Sequence, residues 1–305
     1  HMYNIKLIRS DEVYRQLVSM EKDKRNKYFK KKVLREFEMK FQIQQIPFDK
    51  ECSNNFDIFS YLGQSHIIPS EIKLNDIDKI KEMDNQFWND CEHSIKRAIH
   101  RFEMSDVQPK IKEYIFTALL GDENKPTMFL NQNYVGDGGI PGYIILSLVP
   151  NSYTLSRVKS AIAHEINHNI RYQYVDWDGG SLAELIVAEG LAENFVESLY
   201  GTDYIGPWVT STDWNKNQKL IKNLIKNNLS INNIFESTPY LYGDEISKSY
   251  GGEPMGIPYA AGYTCGYYLI KYYLEKTKCS IEKATIKSAD EILSEVEAFW
   301  NTNIV

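Results

Sequence analysis

The segment from Ala161 to Ile170, AIAHEINHNI, constrains this chain more than any other part of its sequence. It places His164 and His168 four residues apart, with Glu165 directly after the first histidine. The chain has only 6 histidines among 305 residues, so an H-E-x-x-H pattern is uncommon by chance. The pattern has chemical meaning only on a helix, and the flanking residues therefore decide how it is interpreted.

The flanks of this motif predict a helix over 154–172. One row of apolar residues repeats every four positions: Val158, Ile162, Ile166 and Ile170. Such a row is typical of the face that a helix buries against a core. His164 and His168 lie one turn apart on roughly the opposite face, so both imidazoles can bind one ion. Glu165 is close enough to contact a water at that ion without being a ligand.

The next helix is expected to supply a third ligand. Ser181-Leu182-Ala183-Glu184 has the pattern of a capping box after two glycines, and the apolar run that follows stops at Gly201. Glu189 comes 21 positions after His168 (189 − 168), far enough for a loop and two helical turns to return to the first helix. Catalytic zinc needs three protein ligands and an open position for water. We therefore expect His164, His168 and Glu189 to bind one Zn²⁺ per chain, with Glu165 as general base.

Two further residues of this second helix are interpreted with the site. Glu193 lies one turn after Glu189 and is expected to accept a hydrogen bond from a ligand histidine, which fixes the imidazole tautomer. Gly190 costs about 1 kcal/mol relative to alanine inside a helix, and close approach of the two helices is the expected reason. The alternative is that Glu184, Glu189 and Glu193 are solvated residues of an acidic helix.

The rest of the chain divides by its hydrophobic pattern. Helical spacing dominates the first hundred residues, with helices predicted over 11–45 and 75–104. Short apolar segments bounded by turn residues then predict strands over 111–120, 127–130 and 143–148. From Thr154 onward the pattern is again helical.

These segments predict an α+β fold. A helical N-terminal region over 1–105 precedes a domain over 106–305. That domain combines a small, mainly antiparallel sheet beside the H-E-x-x-H helix with a helical C-terminal part. The N-terminal helices could form a partner-binding arm or an inhibitory cover.

Composition restricts partners and location. A net charge of −6 gives little support to nucleic-acid binding, and the Lys-rich stretch 22–40 fits a solvated helix face. The longest apolar run, 143–149, is too short to span a membrane. Four cysteines lie far apart, and the chain from Met2 opens without a signal-peptide apolar stretch, so we expect a cytoplasmic protein. A signal peptide removed before residue 1 would change this expectation. The oligomeric state is unknown from the sequence.

HEINH followed by AEGLAENF resembles a bacterial family of predicted Zn-dependent proteases within the gluzincins, the thermolysin-like metallopeptidases. The glycine-rich stretch 136–139 and the late segment GIPYAAGYTCGYYLIKYYLEK are also similar to that family. The resemblance covers about residues 111–275. It implies a zincin-like fold, a zinc cofactor and a peptide or protein substrate.

The chain departs from the thermolysin pattern at two points. Glu193 stands where thermolysin has an aspartate, and no histidine follows His168 to stabilise an oxyanion. The GY that resembles the family's pattern points to Tyr263 as the oxyanion donor, with Tyr259 as the alternative. A helix opening at Pro258 is expected to align both tyrosines with Tyr267 at spacings of four, and a purely structural role for them stays open.

The expected function is a zinc metallopeptidase that hydrolyses peptide bonds by a zinc-activated water, with Glu165 as general base. The strand 143–148 is expected to offer an edge for an extended peptide. Two alternatives are a zinc hydrolase of a non-peptide amide or ester and a non-catalytic module that the metal stabilises. Glu165 argues against the second, because a structural site needs no general base.

Overall fold

A computed structural model describes residues 2–49 and 55–302 of the chain. The chain forms two compact units. Unit 1 comprises His1–Arg97 and Lys110–Asn169, and unit 2 comprises Ala98–Pro109 and Ile170–Val305. Each unit thus draws on both sides of residue 105. The predicted domain boundary between residues 105 and 106 stays a prediction.

Unit 1 combines short helices with one sheet. Its elements in chain order are β1 (Asn4–Ile8), α1 (Ser10–Leu17), α2 (Lys22–Lys32), α3 (Glu38–Ile43), α4 (Ile58–Leu62), α5 (Leu74–Ile80), α6 (Asn85–Met104), β2 (Glu113–Leu120), α7 (Pro126–Phe129), β3 (Tyr134–Asp137), β4 (Tyr143–Leu148) and α8 (Ser152–Tyr174), with 3-10 turns at Leu34–Phe37 and Pro69–Glu71. The unit boundaries fall inside α6 and α8, so both helices continue into unit 2.

The sheet is mixed, and the prediction that it is mainly antiparallel is wrong. The strand order is β1-β2-β4-β3, in which β1–β2 and β2–β4 are parallel and only β3–β4 is antiparallel. Strand β1 was missing from the prediction, and it pairs with a strand more than 100 residues later (Asn4 with Glu113). Parallel strands need long crossover connections, and a local sequence pattern does not reveal such pairings.

Strand β4 lies inside the sheet. It pairs with β2 from Tyr143 to Leu148 and with β3 from Ile145 to Leu148. The prediction that 143–148 forms an edge is therefore wrong, although the bounds of the strand are as predicted. In the described sheet, β3 is the edge strand that pairs with β4.

Several predicted elements of unit 1 have different limits. The helix predicted over 11–45 is divided into α1, α2, a 3-10 turn and α3, and the helix predicted over 75–104 is divided into α5 and α6. Asp84 caps α6, since its carboxylate accepts a hydrogen bond from the Phe87 amide at 2.9 Å. The strand predicted over 127–130 is instead the helical turn α7, because Pro126 at the first position favours a helix start.

The core of unit 1 lies between the N-terminal helices and the sheet. One continuous cluster of buried apolar side chains includes Tyr14, Leu17, Phe29, Phe37 and Phe41 from the first helices and Leu119, Leu120 and Ile145 from the sheet. Burial of such side chains is the main favourable contribution to folding. The N-terminal helices are therefore part of the same core as the strands.

Unit 2 is helical. Its further elements are α9 (Leu182–Tyr200), α10 (Pro207–Thr210), α11 (Trp214–Lys226), α12 (Ile234–Tyr242), α13 (Asp244–Ser249), α14 (Ala261–Thr277), α15 (Ile281–Thr285) and α16 (Ala289–Ser294), with 3-10 turns at Thr202–Tyr204 and Glu297–Asn301. Helix α9 packs against α12, α14, α15 and α16. Its limits are as predicted, with Ser181 as N-cap and Gly201 after the last turn at φ 90°.

Among the helices of 2–49 and 55–302, none is both long enough and apolar enough to cross a membrane. Cys91, Cys265 and Cys279 are free thiols, and Cys52 lies outside the described residues.

Candidate metal centre

Helix α8 buries the two histidines and the glutamate of the HEINH motif. His164, Glu165 and His168 are only 4%, 5% and 7% exposed. The two imidazole rings meet edge to face with centroids 4.7 Å apart, and Glu165 Oε2 lies 3.8 Å from His164 Nε2. The predicted apolar row is buried as well, so α8 has a polar buried face in addition to its apolar one. Buried polar side chains of this kind usually have a specific partner or function.

Two glycines bring the backbone of unit 1 directly against Glu165. A Cβ atom on Gly136, in β3, would lie 2.5 Å from Glu165 Cγ and 2.7 Å from its Oε2. A Cβ atom on Gly138 would lie 2.6 Å from Glu165 Cβ. Any side chain at these two positions would displace Glu165, so glycine allows a contact that no other residue can make.

Asn169 fixes the loop after β3 to α8, and sequence reasoning missed it. Its Oδ1 accepts a hydrogen bond from the Gly142 amide at 2.9 Å. Its Nδ2 lies 2.8–3.1 Å from three acceptors, the carbonyl oxygens of Gly138, Ile140 and Tyr143. The available signal was an asparagine directly after His168 in the middle of a helix, where asparagine is unfavourable.

Glu189 lies on α9 next to Gly190, where α9 crosses α14, and it is partly buried. A Cβ atom on Gly190 would lie 2.1 Å from the carbonyl oxygen of Gly266 in α14, and one on Gly266 would lie 2.3 Å from the carbonyl oxygen of Ile186. Gly190 thus permits a close approach, as predicted, but the helix that approaches is α14.

Two polar side chains of α9 stabilise the same region. Asn194 Nδ2 donates to the carbonyl oxygens of Gly190 at 2.8 Å and of Tyr267 at 3.0 Å, which ties α9 to α14. Glu193 Oε1 accepts a hydrogen bond from the Gly206 amide at 2.5 Å. The predicted hydrogen bond from a ligand histidine to Glu193 stays a prediction.

Glu184 is not a solvated glutamate. Its amide donates to Ser181 Oγ at 3.0 Å, as expected for an N-cap, but its carboxylate accepts from Arg171 Nε and Nη2 and from the Tyr172 hydroxyl, each at 2.8 Å. Arg171 is fully buried, and sequence reasoning did not identify it. The bidentate pair joins the end of α8 to the start of α9.

The candidate tyrosines differ in their positions. Tyr263 lies in α14, with its ring 5.7 Å from that of Tyr242 and 6.4 Å from that of Trp208. Tyr259 lies outside the helix, because α14 begins at Ala261 rather than at Pro258. Burial raises the pKa of Tyr259, as do the charges of Glu245 and Tyr242. Tyr267 is occupied by a hydrogen bond from its hydroxyl to Glu197.

The three predicted ligands come together. One ligand atom from each of His164, His168 and Glu189 lies within 4.8 Å of the others. Two imidazole nitrogens and one carboxylate oxygen form a common donor set of catalytic zinc, and three ligands leave a fourth position open. In the described part of the chain, no other cluster of three His, Cys, Asp or Glu side chains meets this distance criterion. The residues present fit a zinc ion.

Comparisons with known proteins identify the family of the chain. Residues 87–294 match a family described as "Predicted Zn-dependent protease (DUF2268)". The chain is also 33% identical to the "Uncharacterized protein YjfC" of Bacillus subtilis (strain 168) over 301 residues, which is 97% of this chain and 99% of the relative. No solved structure matches the chain.

Proposed function

The chain belongs to the family of predicted Zn-dependent proteases, and from this premise we propose that it is a zinc metallopeptidase of the gluzincin type with a zincin-like fold. The observation that carries the proposal is the convergence of His164, His168 and Glu189 within 4.8 Å. A zinc ion held by these side chains would lower the pKa of a water molecule and polarise a peptide carbonyl.

Glu165 is the proposed general base. It is buried beside His164, 3.8 Å from its Nε2, and is not one of the three ligand residues. Its carboxylate can accept a proton from the attacking water and return it to the leaving amine. Gly136 and Gly138 restrict where this carboxylate can lie, which favours one geometry for proton transfer.

Tyr263 is the proposed oxyanion donor. It lies in α14 three residues before Gly266, where α14 crosses α9 next to Glu189. One such donor contributes about 2.7–4 kcal/mol to stabilising a transition state. Tyr263→Phe should therefore reduce kcat strongly, whereas Tyr259→Phe should not. The opposite ranking would assign the role to Tyr259.

Strand β3 is the proposed place for an extended peptide. It is the edge of the described sheet on the β4 side, and its end lies against Glu165. A peptide that adds to this edge would gain main-chain hydrogen bonds beside the general base. We also propose that the protein is cytoplasmic. A ligand histidine is proposed to donate a hydrogen bond to Glu193.

The test is cleavage of an unbiased peptide mixture, read by mass spectrometry, with zinc-loaded wild type and Glu165→Gln. Glu92→Gln is the control, because this glutamate is a partly exposed residue of α6 that pairs with Lys96 on the same helix. We expect products from wild type and from the control, and none from Glu165→Gln at equal zinc content. Equal turnover by Glu165→Gln would refute the general-base assignment. Hydrolysis of small esters alone would refute the peptidase.

A further inference from the structure

Lys40 is a lysine without any exposed surface. Its side chain is 0% exposed, and its Nζ lies 2.7 Å from Asp137 Oδ2 and 2.6 Å from Gln44 Oε1. Lysine is almost never fully buried unless it is paired, because an ammonium group loses its hydration there. This cation on α3 therefore has a defined partner at the end of β3.

Asp137 is the last residue of β3 and is flanked by the two glycines that contact Glu165. Desolvation raises its pKa, but the charge of Lys40, hydrogen bonds from Lys40 and Gln44 and the electrostatic effect of His168 together lower the pKa by more, so the net pKa is below the usual range. The carboxylate is therefore ionised at neutral pH. The pair joins two residues that are 97 positions apart in the sequence.

Two other sets of hydrogen bonds hold the backbone on either side of Asp137. Within the described chain, β3 pairs with β4 through only four residues, of which Asp137 is the last. Beyond it, Asn169 fixes the loop from Gly138 onward. The Lys40–Asp137 pair thus lies between the ladder and the loop, at the point where the backbone touches Glu165.

We propose that Lys40 is a positioning residue for Glu165, which acts by holding Asp137 and so keeping Gly136 and Gly138 against the general base. The inference rests on the proposed function and deepens it. It gives the N-terminal helices a role that is neither a cover nor a partner-binding arm, because one of them would complete the surroundings of the general base.

The test separates positioning from general stability. Lys40→Met removes the ammonium and keeps the length of the side chain, and Asp137→Asn removes the opposite charge. We expect each to lower kcat by about 10- to 100-fold. A rise in KM is expected as well, because 134–137 is also the strand proposed to bind the peptide. For Lys40→Met, the affinity for zinc, measured by competition with a chelator, should change by less than about threefold, because Lys40 is not a metal ligand and bonds to Asp137 and Gln44. Asp137→Asn should weaken zinc binding more, because the Asp137 carboxylate interacts electrostatically with His168.

Asp11→Asn is the matched control. Asp11 is a buried carboxylate of the same unit that binds Arg9 and Arg15, so Asp11→Asn also removes one charge from an ion pair with a buried member. We expect it to lower thermal stability and leave kcat unchanged. The double variant Lys40→Met/Asp137→Asn should lose no more activity than the more impaired single variant, because both disrupt one pair. It also restores neutrality if a single variant fails to fold.

Hydrogen–deuterium exchange gives a readout without activity. Amides of 134–138 should exchange faster in Lys40→Met and Asp137→Asn than in wild type, while those of β2 should not. Unchanged exchange at 134–138, or full kcat in the folded variants, would overturn the inference. If zinc-loaded wild type cleaves no peptide, the proposed function fails, and the exchange data alone then decide whether Lys40 holds this strand.

Discussion

The two glutamates of the candidate centre are placed by different physical means. Glu165 lies against the end of β3 and the loop that follows, where Gly136 and Gly138 touch its side chain and Asn169 holds the loop. Glu189 lies on a regular helix, next to a glycine that lets α14 approach to the limit set by backbone atoms. Hydrogen bonds and charge define the first environment, and packing volume defines the second.

Glu165 and Glu189 should therefore respond to different kinds of substitution. Hydrogen bonds and ion pairs with partly buried groups depend on charge and protonation, and their loss leaves unsatisfied polar atoms. Helix crossings depend on volume, because protein interiors are close-packed. Loss of a polar contact should therefore affect the general base first, whereas added volume should affect whichever glutamate lies beside the substituted glycine.

The largest expected effect is that of Gly136→Ala. A Cβ atom 2.5 Å from Glu165 Cγ must move that side chain, and displacement of a catalytic group by about 1 Å can cost about 100-fold in rate. We expect kcat to fall by that order while zinc still binds. Steady-state kinetics and zinc content check this, with Gly139→Ala as control, since its Cβ atom would meet nothing within 4 Å. Equal loss in both variants would contradict the contact.

Gly190→Ala tests the packing side of the comparison. The new methyl group would clash with the backbone of Gly266, and overpacking costs about 1–3 kcal/mol. We expect a lower free energy of unfolding together with weaker zinc binding, because Glu189 is the adjacent residue. Urea unfolding and chelator competition measure the two quantities. Gly266→Ala should reproduce both changes, and a variant that loses stability with unchanged zinc affinity would separate the crossing from the ligand.

Two buried asparagines sharpen the comparison. Asn169 Oδ1 accepts from the Gly142 amide and its Nδ2 shares two hydrogens among three carbonyl oxygens of 138–143, whereas Asn194 Nδ2 donates to two carbonyl oxygens, one of them in its own helix. Each buried polar group left unsatisfied costs about 1–3 kcal/mol, so Asn169→Ala should destabilise more than Asn194→Ala. Urea unfolding of both variants is the measurement. The reverse order would mean that the helix crossing depends on polar contacts more than the loop does.

The smallest effect concerns pH and His66. Its Nδ1–H donates to the Leu62 carbonyl at 3.0 Å, and its Nε2 accepts from the Ser147 hydroxyl at 2.6 Å. Burial lowers its pKa to about 4, against the smaller opposing effects of the Leu62 hydrogen bond and the Asp137 charge, and the charge of Lys40 lowers it further.

Below the ordinary histidine pKa of about 6.5, the unfolded chain binds a proton at His66 that the folded protein does not, until the pH reaches about 4. The free energy of unfolding should therefore fall through this window, by about 1–2 kcal/mol between about pH 7 and 5. His66→Gln is the control, and its stability deficit relative to wild type should narrow over the same range. A constant deficit would contradict the assignment.

The features of the site that the sequence predicted are those that depend on short segments of the chain. The spacing of His164 and His168 and the caps of α9 at Ser181 and Gly201 are features of short segments, and each is where it was expected. Glu189 followed from them because a capped helix fixes the register of its side chains.

The part that could not be predicted depends on contacts between distant segments. Strand β3 contains a glycine and is a strand because it pairs with β4, so its own residues gave no signal. The Lys40–Asp137 pair and the parallel pairing of β1 with β2 join residues about a hundred positions apart. The surroundings of Glu165 were missed for this reason, although Glu165 itself was identified.

The central claim is that His164, His168 and Glu189 hold one zinc ion. Anomalous diffraction at the zinc absorption edge, on crystals of zinc-loaded wild type and Glu189→Ala, tests it most directly. We expect one strong anomalous peak per chain between these three side chains in wild type, and a weak or absent peak in Glu189→Ala. A peak at another position, or equal occupancy in Glu189→Ala, would contradict it.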